Sequence, residues 1–425
     1  MNTHRTRLSP RRIGWILVGL VTGLALPMGS AAQEVTAFVG ARIWDGTGAE
    51  AISNGLMLVR EGRIQYVGER GDVPLPSGAT VVNVNGRTII PGLINTHGHV
   101  GSVGGSNREN LTGQLRLYAE YGITTVNSLG GEGPEAITLR DEQSMTGLDR
   151  ARIFVAGAVV TGNTVDAALE VVQRNSDMGV DWMKLRVDDN LGRSQKMPPE
   201  IYSAVIDRSH EFGLRLASHL FYLSDAKALM RAGTDFIAHS VRDMDVDQEF
   251  LGMLAASGIC YTPTLTREVS TYVYESRPNF FDDPFFVSHF DQAVQEPFLT
   301  PARQASSARS APYKEALRVA LRNLKTIVDA GLPVVMGTDT GPAGRFQGYF
   351  EHMELDLMAQ AGLTPEQVLR SATGLAAECL RMDDEIGTLR PNRWADFIVL
   401  TENPLDNIRN ARSIESVWIA GEALR

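Results

Sequence analysis

The sequence predicts an α/β protein in which eight parallel strands alternate with helices, and three observations support this. Short alternating runs near the N-terminus, "VTAFVGARIWDGTG" and "GLMLVREGRIQYVGE", are split by the glycine and Asp-Gly turns typical of antiparallel strands, and "ADFIVLTENP" near the other end alternates in the same manner. Between them, apolar runs alternate with stretches of helical periodicity. Because eight such runs occur, we expect a closed (β/α)8 barrel, the TIM barrel, with a small β-sandwich domain formed from both chain ends.

The eight strand candidates are, in chain order, "TIIPGLINTH", "GITTVNSL", "RIFVAGAVV", "DWMKLRV", "RLASHL", "DFIAHS", "ICYTPTL" and "PVVMGTD". Helical periodicity between them is clearest in "PPEIYSAVIDRSHEFG" and "DAKALMRAG". The final helix is expected to start at Thr364-Pro365-Glu366-Gln367, which has the pattern of a capping box. The link 267–312 is too long for a plain loop, and both a substrate lid and a surface embellishment remain open.

Four segments follow from this organisation. We expect a signal peptide at 1–32, the two parts of the β-sandwich domain at 33–90 and 385–425, and the barrel at 91–384.

The first 32 residues are typical of a bacterial secretory signal peptide. Four arginines stand before an apolar run at 13–28, and small residues follow at 29–32. A membrane anchor fits less well because the run is short and broken by Pro27. We expect a secreted or periplasmic protein with no stable membrane insertion after cleavage, and both Sec and twin-arginine export stay open.

The composition and charge of the chain limit the classes of molecule that we expect it to bind. The chain has 425 residues, 43% of them hydrophobic and 21% charged, which is typical of a globular protein with a sizeable core. Its net charge of −10 becomes −14 without residues 1–32, which carry four arginines and no acidic residue. We therefore expect no nucleic-acid partner. A homo-oligomer is left open.

Cys260 and Cys379 are the two cysteines of the chain. Apolar neighbours favour a buried thiol at Cys260, whereas export would allow the pair to oxidise. The sequence does not decide between a thiol and a disulfide.

Polar residues interrupt the apolar strands at their carboxyl ends, the face where barrel enzymes place their chemistry. Each alone has a structural explanation, such as a hydrogen-bonded core histidine or a lysine that reaches solvent. Six such exceptions at one end of one barrel instead indicate a common site, which we expect to bind divalent metal, with zinc favoured by the imidazole donors. A lysine ammonium beside such ions would be disfavoured by charge. The six are His97, His99, Lys184, His219, His239 and Asp339.

This pattern resembles the amidohydrolase superfamily in its binuclear form. The similar residues are the His-x-His after the first strand, a lysine on the fourth, histidines on the fifth and sixth, and an aspartate on the eighth. Segments such as "GRTIIPGLINTHGH", "AGTDFIAHS" and "GLTPEQVLRSATGLAAECL" are similar to those of its imidazolonepropionase-like and prolidase-like branch.

The resemblance implies the following roles. Lys184 would carry carbon dioxide as a carbamate and bridge two divalent ions, most simply Zn²⁺. His97, His99 and Asp339 would hold one ion, and His219 and His239 the other. A hydroxide between the ions would attack the scissile carbonyl, and Asp339 would pass its proton to the leaving nitrogen. Asn95 stands where the family often has aspartate, which weakens the expected support of His97, and Asn392 replaces a turn glycine, a change that asparagine tolerates.

The resemblance implies cleavage of a carbon–nitrogen bond in a small amide, either a dipeptide of the Xaa-Pro type or an N-acyl amino acid. Such substrates carry a carboxylate, for which Arg242 and Arg267 are candidate partners, with Tyr222 and Tyr261 as hydrogen-bond donors. His352 follows the eighth strand and could contact substrate or pack within a helix.

Three alternatives remain at this stage. A lactone, a phosphotriester or a cyclic amide could be cleaved by the same centre. Deamination is less favoured because no glutamate accompanies His219 in "LASHLFYLSD". A non-catalytic barrel would contain no metal, so metal content separates it from the enzymes.

Overall fold

The computed structural model describes residues 34–424, so the predicted signal peptide lies outside the described residues. Within this range the strands are β1 (Val35–Val39), β2 (Arg42–Ile43), β3 (Gly55–Arg60), β4 (Arg63–Glu69), β5 (Thr80–Asn83), β6 (Thr88–Pro91), β7 (Leu93–Gly98), β8 (Ile123–Ser128), β9 (Arg152–Val155), β10 (Trp182–Arg186), β11 (Arg215–His219), β12 (Phe236–Ala238), β13 (Cys260–Thr262), β14 (Phe397–Leu400), β15 (Ile414–Ile419) and β16 (Glu422–Ala423).

The α-helices of the same range are α1 (Arg108–Glu120), α2 (Pro134–Asp141), α3 (Val165–Met178), α4 (Pro199–Glu211), α5 (Leu223–Ala232), α6 (Gln248–Ser257), α7 (Leu265–Tyr272), α8 (Pro284–Val287), α9 (Gln292–Gln295), α10 (Pro301–Ala308), α11 (Ala311–Asp329), α12 (Tyr349–Gln360), α13 (Pro365–Ser371) and α14 (Gly374–Leu380). Strands and helices alternate from β7 to α7, which confirms the predicted α/β class.

Strands from both chain ends share one sheet, as expected. The order β16-β15-β14-β6-β2 joins the N-terminal and C-terminal strands, and a second sheet has the order β4-β3-β1-β5. Phe38 of β1 contacts Phe397 of β14 and Trp418 of β15, with ring centroids 4.9 and 4.7 Å apart. The two sheets therefore share an apolar contact.

Seven strands form two parallel sheets, β7-β8-β9 and β10-β11-β12-β13. Single parallel bridges continue the pairing between them, from Val160 to Leu185 on one side. On the other side, the segment 333–340 bridges to Tyr261 of β13 and Gly98 of β7. Parallel strands present their carboxyl ends on one side, and this positions the site described below.

Two strand predictions need correction. "TIIPGLINTH" forms two strands, β6 and β7, and the chain passes from one sheet to the next at Gly92. Glycine is required at this position because a Cβ on Gly92 would lie 2.1 Å from Thr124 Oγ1. "PVVMGTD" is not a regular strand, since its bridges are isolated ones at Val334 and Thr340. Main-chain bonds such as Val335 N to Tyr261 O, 2.9 Å, still hold it beside β13.

The helix signals were mostly correct. α4 and α5 cover the two quoted periodic stretches, and Thr364 and Gln367 form both hydrogen bonds of the predicted capping box at the start of α13. This helix is not the last, however, because α14 follows after a short break. Asn392 has φ 72°, the left-handed conformation expected of a residue in place of a turn glycine.

The long link 267–312 is structured. It contains most of α7 and the short helices α8 to α10, and its phenylalanines form an aromatic cluster with Phe346. Phe286, for example, lies 4.9 Å from Phe346 and 5.4 Å from Phe281 between ring centroids. The cluster fastens the link to the chain that follows Asp339.

Cys260 and Cys379 are joined as a disulfide, with Cα atoms 6.1 Å apart, which is one of the two alternatives that the sequence left open. The bond ties the first residue of β13 to α14. Among residues 34–424, none of the helices is long and apolar enough to cross a membrane.

Candidate metal centre

The six predicted polar residues lie together at the carboxyl ends of the parallel strands. The His97 ring centroid is 5.6 Å from that of His99 and 4.6 Å from that of His239, and His219 lies 4.1 Å from His239. Lys184 Nζ is 3.2 Å from His97 Nε2. Asp339 Oδ1 is 3.6 Å from His97 Nε2.

Donor atoms of His97, His99 and Asp339 all lie within 4.8 Å of one another, a spacing that one metal ion can bridge. Both ring nitrogens of His99 face acceptors: Nδ1 is 2.8 Å from Gly130 O, and Nε2 is 2.7 Å from Asp339 Oδ1. A neutral imidazole has only one N–H. Either a second proton or a cation must therefore lie between His99 and Asp339.

The other pair of histidines includes a free donor. His239 Nδ1 is 2.7 Å from Thr264 Oγ1, whereas its Nε2 is buried without a hydrogen-bond partner. His239, Thr264 and Asp339 all have positive φ, at 151°, 47° and 62°. Backbone strain of this kind persists where surrounding structure enforces it and is common at functional sites.

Burial keeps the imidazoles of His97, His219 and His239 neutral, the form in which histidine ligates metal. Desolvation and the nearby Lys184 charge hold the pKa of His97 well below its ordinary value, and desolvation with neighbouring imidazoles does the same for His239. Burial lowers the pKa of His219 to about 3. It also lowers the pKa of Lys184 to about 7, so a substantial fraction of this amine is neutral near pH 7.

Arg345 is a site residue that the sequence reasoning missed. Its Nη1 donates to Asp339 Oδ2 at 2.5 Å, and its Nε donates to Ser270 Oγ at 3.1 Å. Although burial favours the protonated form of Asp339, the Arg345 charge and the His99 contact hold its pKa well below the ordinary value. Its position six residues beyond Asp339 in "GTDTGPAGR" was the available signal.

Asp188 was also missed. Its Oδ2 lies 2.9 Å from His219 Nε2, and it stands two residues beyond the end of β10. The hydrogen bond from His219 holds the pKa of Asp188 low despite its burial. A cavity of about 420 Å³ opens beside Asp188 and is lined also by Arg186 and Lys196.

Asn95 supports His97 through the main chain. Its Oδ1 accepts from His97 N at 2.9 Å, and its Nδ2 donates to Glu351 Oε1 at 2.7 Å and Thr338 Oγ1 at 2.9 Å. The amide can serve both partners, whereas an aspartate here would face the Glu351 carboxyl group. Burial raises the pKa of Glu351 to about 7. The His97 ring itself has no partner on Nδ1.

The predicted substrate contacts occupy different surroundings. Arg242 and Tyr261 are buried, with Arg242 Nε 2.9 Å from Glu268 Oε1 and the Tyr261 hydroxyl accepting from Val241 N at 2.8 Å. His352 is buried, with Nε2 2.8 Å from Tyr121 O. These contacts argue against direct substrate binding by the three.

Tyr222 and Arg267 are the other two residues predicted to contact substrate. Tyr222 donates to Asp189 Oδ1 at 2.8 Å and lies under Lys196, whose Nζ is 3.8 Å from the ring centroid. Arg267 donates to Glu268 Oε1 at 2.9 Å, and its side chain is 9% exposed. A substrate role for either residue stays a prediction.

The comparison with protein families agrees with this geometry. Residues 88–424 match the model of the amidohydrolase family, and the chain belongs to that family. The similar proteins include imidazolonepropionases and prolidase-like structures, which is the branch expected from the sequence.

Individual relatives are distant. Imidazolonepropionase from Pseudomonas entomophila is 23% identical over 396 residues, covering 87% of this chain and 92% of that protein. Ochratoxinase from Aspergillus niger is 24% identical over 243 residues, covering 56% of this chain but only 43% of that protein. The structure of a prolidase candidate from Bifidobacterium longum superposes with a TM-score of 0.76 at 25% identity, covering 92% and 94% of the two chains.

Proposed function

We propose that the chain is an exported amidohydrolase that uses two divalent metal ions to cleave the amide bond of a dipeptide, of the Xaa-Pro type, or of an N-acyl amino acid. The observation that carries this proposal is the buried group of four imidazoles, one amine and one carboxylate at a single end of the parallel strands. The prolidase and imidazolonepropionase relatives support small amides as the substrate class.

The donors fit metal ions. His97, His99 and Asp339 would hold one ion, and His219 and His239 the other, with His97 Nδ1 and His239 Nε2 currently lacking partners. Nitrogen donors with one carboxylate favour Zn²⁺ over calcium or magnesium. Gly130 O and Thr264 Oγ1 fix the rings of His99 and His239 through their other nitrogens, as is usual for metal-bound histidine.

Lys184 is the proposed carbamate. A neutral amine is the form that captures carbon dioxide, and burial gives this lysine a pKa of about 7. The carbamate would turn a cation into an anion between the two histidine groups, which removes the repulsion that an ammonium would exert on the ions. Metal loading in buffer depleted of carbon dioxide should therefore give fewer ions per chain, and added bicarbonate should restore them.

The protein residues account for the remaining chemistry. The bound ions would lower the pKa of water to about 7 and polarise the substrate carbonyl. Asp339 is placed to accept a proton at Oδ1 or Oδ2 and to return it to the leaving nitrogen. Arg345 holds Oδ2 from the opposite side, which fixes the orientation of that carboxylate.

Two features of architecture and location belong to the same proposal. The bridges at Val160, Val334 and Thr340 support closure of the parallel strands into a (β/α)8 barrel, and the contact of Phe38 with Phe397 supports a β-sandwich of the other two sheets. The Cys260–Cys379 disulfide supports export to an oxidising compartment, in agreement with the predicted signal peptide. Cell fractionation of the full chain tests the location.

Metal analysis and a substrate panel test the function. The purified protein loaded with zinc should hold about two ions per chain and hydrolyse Xaa-Pro dipeptides or N-acyl amino acids. Lactones, phosphotriesters and cyclic amides complete the panel, and turnover confined to them would replace the proposed bond while keeping the centre. A chain that binds no metal would overturn the proposal.

A further inference from the structure

Positive charge beside Asp339 exceeds the negative charge that the protein supplies there. Arg242 Nε and Arg267 Nη1 both contact the same oxygen, Glu268 Oε1, at 2.9 Å each. Arg345 pairs with Asp339. Three guanidinium groups thus face two carboxylates, and metal bound at Asp339 would enlarge the excess.

Hydrogen-bonding capacity is also left over in this cluster. Three guanidinium donors, Arg267 Nε, Arg242 Nε and Arg242 Nη2, are buried without a hydrogen-bond partner, against one carboxylate acceptor, Glu268 Oε2. Among residues 34–424, Nη2 of Arg267 and Nη2 of Arg345 make no hydrogen bond that the structure shows. Leaving buried charge and donors unpaired is costly, so the arrangement favours an anionic ligand.

The three arginines differ in their hydrogen bonds to the main chain and in the exposure of their side chains. Arg242 Nη1 donates to Leu220 O at 2.9 Å and Ser240 O at 2.7 Å, and the side chain is 1% exposed. The side chains of Arg267 and Arg345 are 9% and 20% exposed. Arg242 therefore serves the fold, and the other two are available to a ligand.

Arg267 and Arg345 are held together as a unit. Arg345 Nε donates to Ser270 Oγ at 3.1 Å, and the same hydroxyl donates to Arg267 O at 2.7 Å. The Arg267 guanidinium carbon also lies 5.1 Å from the ring centroid of Tyr313 on α11. These contacts fix both arginines before any ligand arrives, which reduces the entropy lost on binding.

Substrate chemistry determines which anion belongs there. In the proposed reaction, Asp339 returns its proton to the leaving nitrogen, so that nitrogen must lie next to Asp339. In an amino acid, the carboxylate carbon is only about 2.5 Å from the nitrogen, because a single Cα separates them. A carboxylate on the leaving group would therefore lie within reach of Arg345, which itself contacts Asp339.

We infer that Arg267 and Arg345 form the receptor for the carboxylate of the leaving amino acid, so that substrates end in a free α-carboxylate. The inference rests on the proposed function and makes that function more specific. It also replaces Arg242, the first candidate from the sequence, with Arg345.

Paired substrates test the receptor. N-acetyl-L-proline, N-acetyl-L-leucine and N-acetyl-L-phenylalanine are compared with their carboxamides, which keep the scissile bond and lose the charge. The wild-type protein should prefer the carboxylates by roughly 100-fold in kcat/KM, since hydrogen bonds to charged groups are the strong ones. Arg267→Gln should raise KM for the carboxylates by roughly 10- to 100-fold, and at least about tenfold more than for the carboxamides. Arg345→Gln should lower kcat on both kinds of substrate, because Arg345 also orients Asp339, and should in addition raise KM for the carboxylates alone.

Two further variants make the result specific. Arg267→Lys keeps the charge but loses the planar fork, so it should restore part of the preference. Arg277→Gln removes an exposed arginine paired with Asp282 in the same long link, and it should leave both substrates unchanged. An equal rise of KM for both substrates in Arg267→Gln, or an unchanged KM for the carboxylates in Arg345→Gln, would overturn the receptor and assign these residues to support of the site.

A binding measurement separates the receptor from the hydrolytic function. Calorimetric titration of the chelated, metal-free protein should detect N-acetyl-L-proline but not its carboxamide, and Arg267→Gln should abolish the difference. Binding without turnover on any substrate by the metal-loaded protein would overturn the proposed function and leave the receptor standing. Turnover with equal efficiency on carboxylates and carboxamides would overturn the receptor alone.

Discussion

The two ends of the parallel strands treat buried polar groups in opposite ways. At the carboxyl ends, His97 Nδ1 and His239 Nε2 are buried without hydrogen-bond partners. At the opposite end, Arg152 begins β9 and forms two hydrogen bonds with Asp396, of 2.6 and 3.1 Å. Asp396 Oδ1 also accepts from Ala420 N at 2.7 Å, so this carboxylate is fully used by the protein.

The difference separates groups that serve the fold from groups that await a ligand. A buried ion pair with all its hydrogen bonds made keeps its charges compensated, and breaking it leaves an uncompensated charge. A buried imidazole without a partner loses hydrogen bonds to water and gains none from the protein. Metal ions bound at the carboxyl ends of the strands would supply the interaction that these imidazoles lack. Variants at the two ends should therefore fail in different ways.

The largest effect is expected at the metal centre. His97→Asn should lower the metal content below two ions per chain and reduce hydrolysis by more than roughly 1,000-fold, because water away from the ion returns to a pKa of about 15.7. The metal-free form should unfold at the same urea concentration as wild type or a higher one, since a buried ring nitrogen without a hydrogen-bond partner is removed. His210→Asn is the matched control, because His210 lies at the surface beside Asp235. Two ions retained by His97→Asn would contradict the ligand assignment.

The next effect tests the opposite end. Arg152→Met should lower the free energy of unfolding of the metal-free protein by about 3 to 5 kcal/mol, because Asp396 is left buried and unpaired. Urea titration gives the loss, and metal analysis of the folded variant should still find about two ions. Adding Asp396→Asn should recover part of the stability. If Arg152→Met instead lost metal without losing stability, the proposed division between the two ends would be wrong.

The disulfide at the same end offers a third comparison. Replacing Cys260 and Cys379 together by alanine should lower the free energy of unfolding by about 2 to 4 kcal/mol, chiefly through greater freedom of the unfolded chain. A phosphine reductant should destabilise the wild-type protein similarly and have no effect on the double variant. Metal content should not change in either case. If the reductant destabilised both proteins equally, the disulfide would not be the source of the stability.

The sequence located the residues of the candidate site better than their surroundings. Six residues could be placed because each interrupts an apolar run whose period defines the face of the strand. They are His97, His99, Lys184, His219, His239 and Asp339. Arg345 and Asp188 escaped because they lie in loops, where no period fixes the direction of a side chain. Their contacts with Asp339 and His219 arise from tertiary packing alone.

The fold shows the same division. Capping chemistry located the start of α13 to the residue, because Thr364 and Gln367 satisfy each other locally. The break at Gly92 could not be read from "TIIPGLINTH", because both halves are apolar and only the approach of Thr124 explains the glycine. The ion pair of Arg242 could not be read from the sequence for a similar reason, since its partner Glu268 lies 26 positions away in sequence.

The smallest effect concerns His352, an imidazole near the site that does have a protein partner. Burial, with a contribution from the Arg412 charge, lowers the pKa of His352 to about 3 from the ordinary 6.5. Stability from its neutral form is therefore complete above pH 6.5 and is lost as the pH falls toward 3, at about 1.4 kcal/mol per pH unit. His352→Gln keeps a donor for Tyr121 O, and the metal-free variant should lose stability between pH 6.5 and 5 less steeply than wild type by about that amount. Urea midpoints at pH 7.5, 6 and 5 measure the slopes, and identical slopes would show that the folded protein accommodates the charged ring.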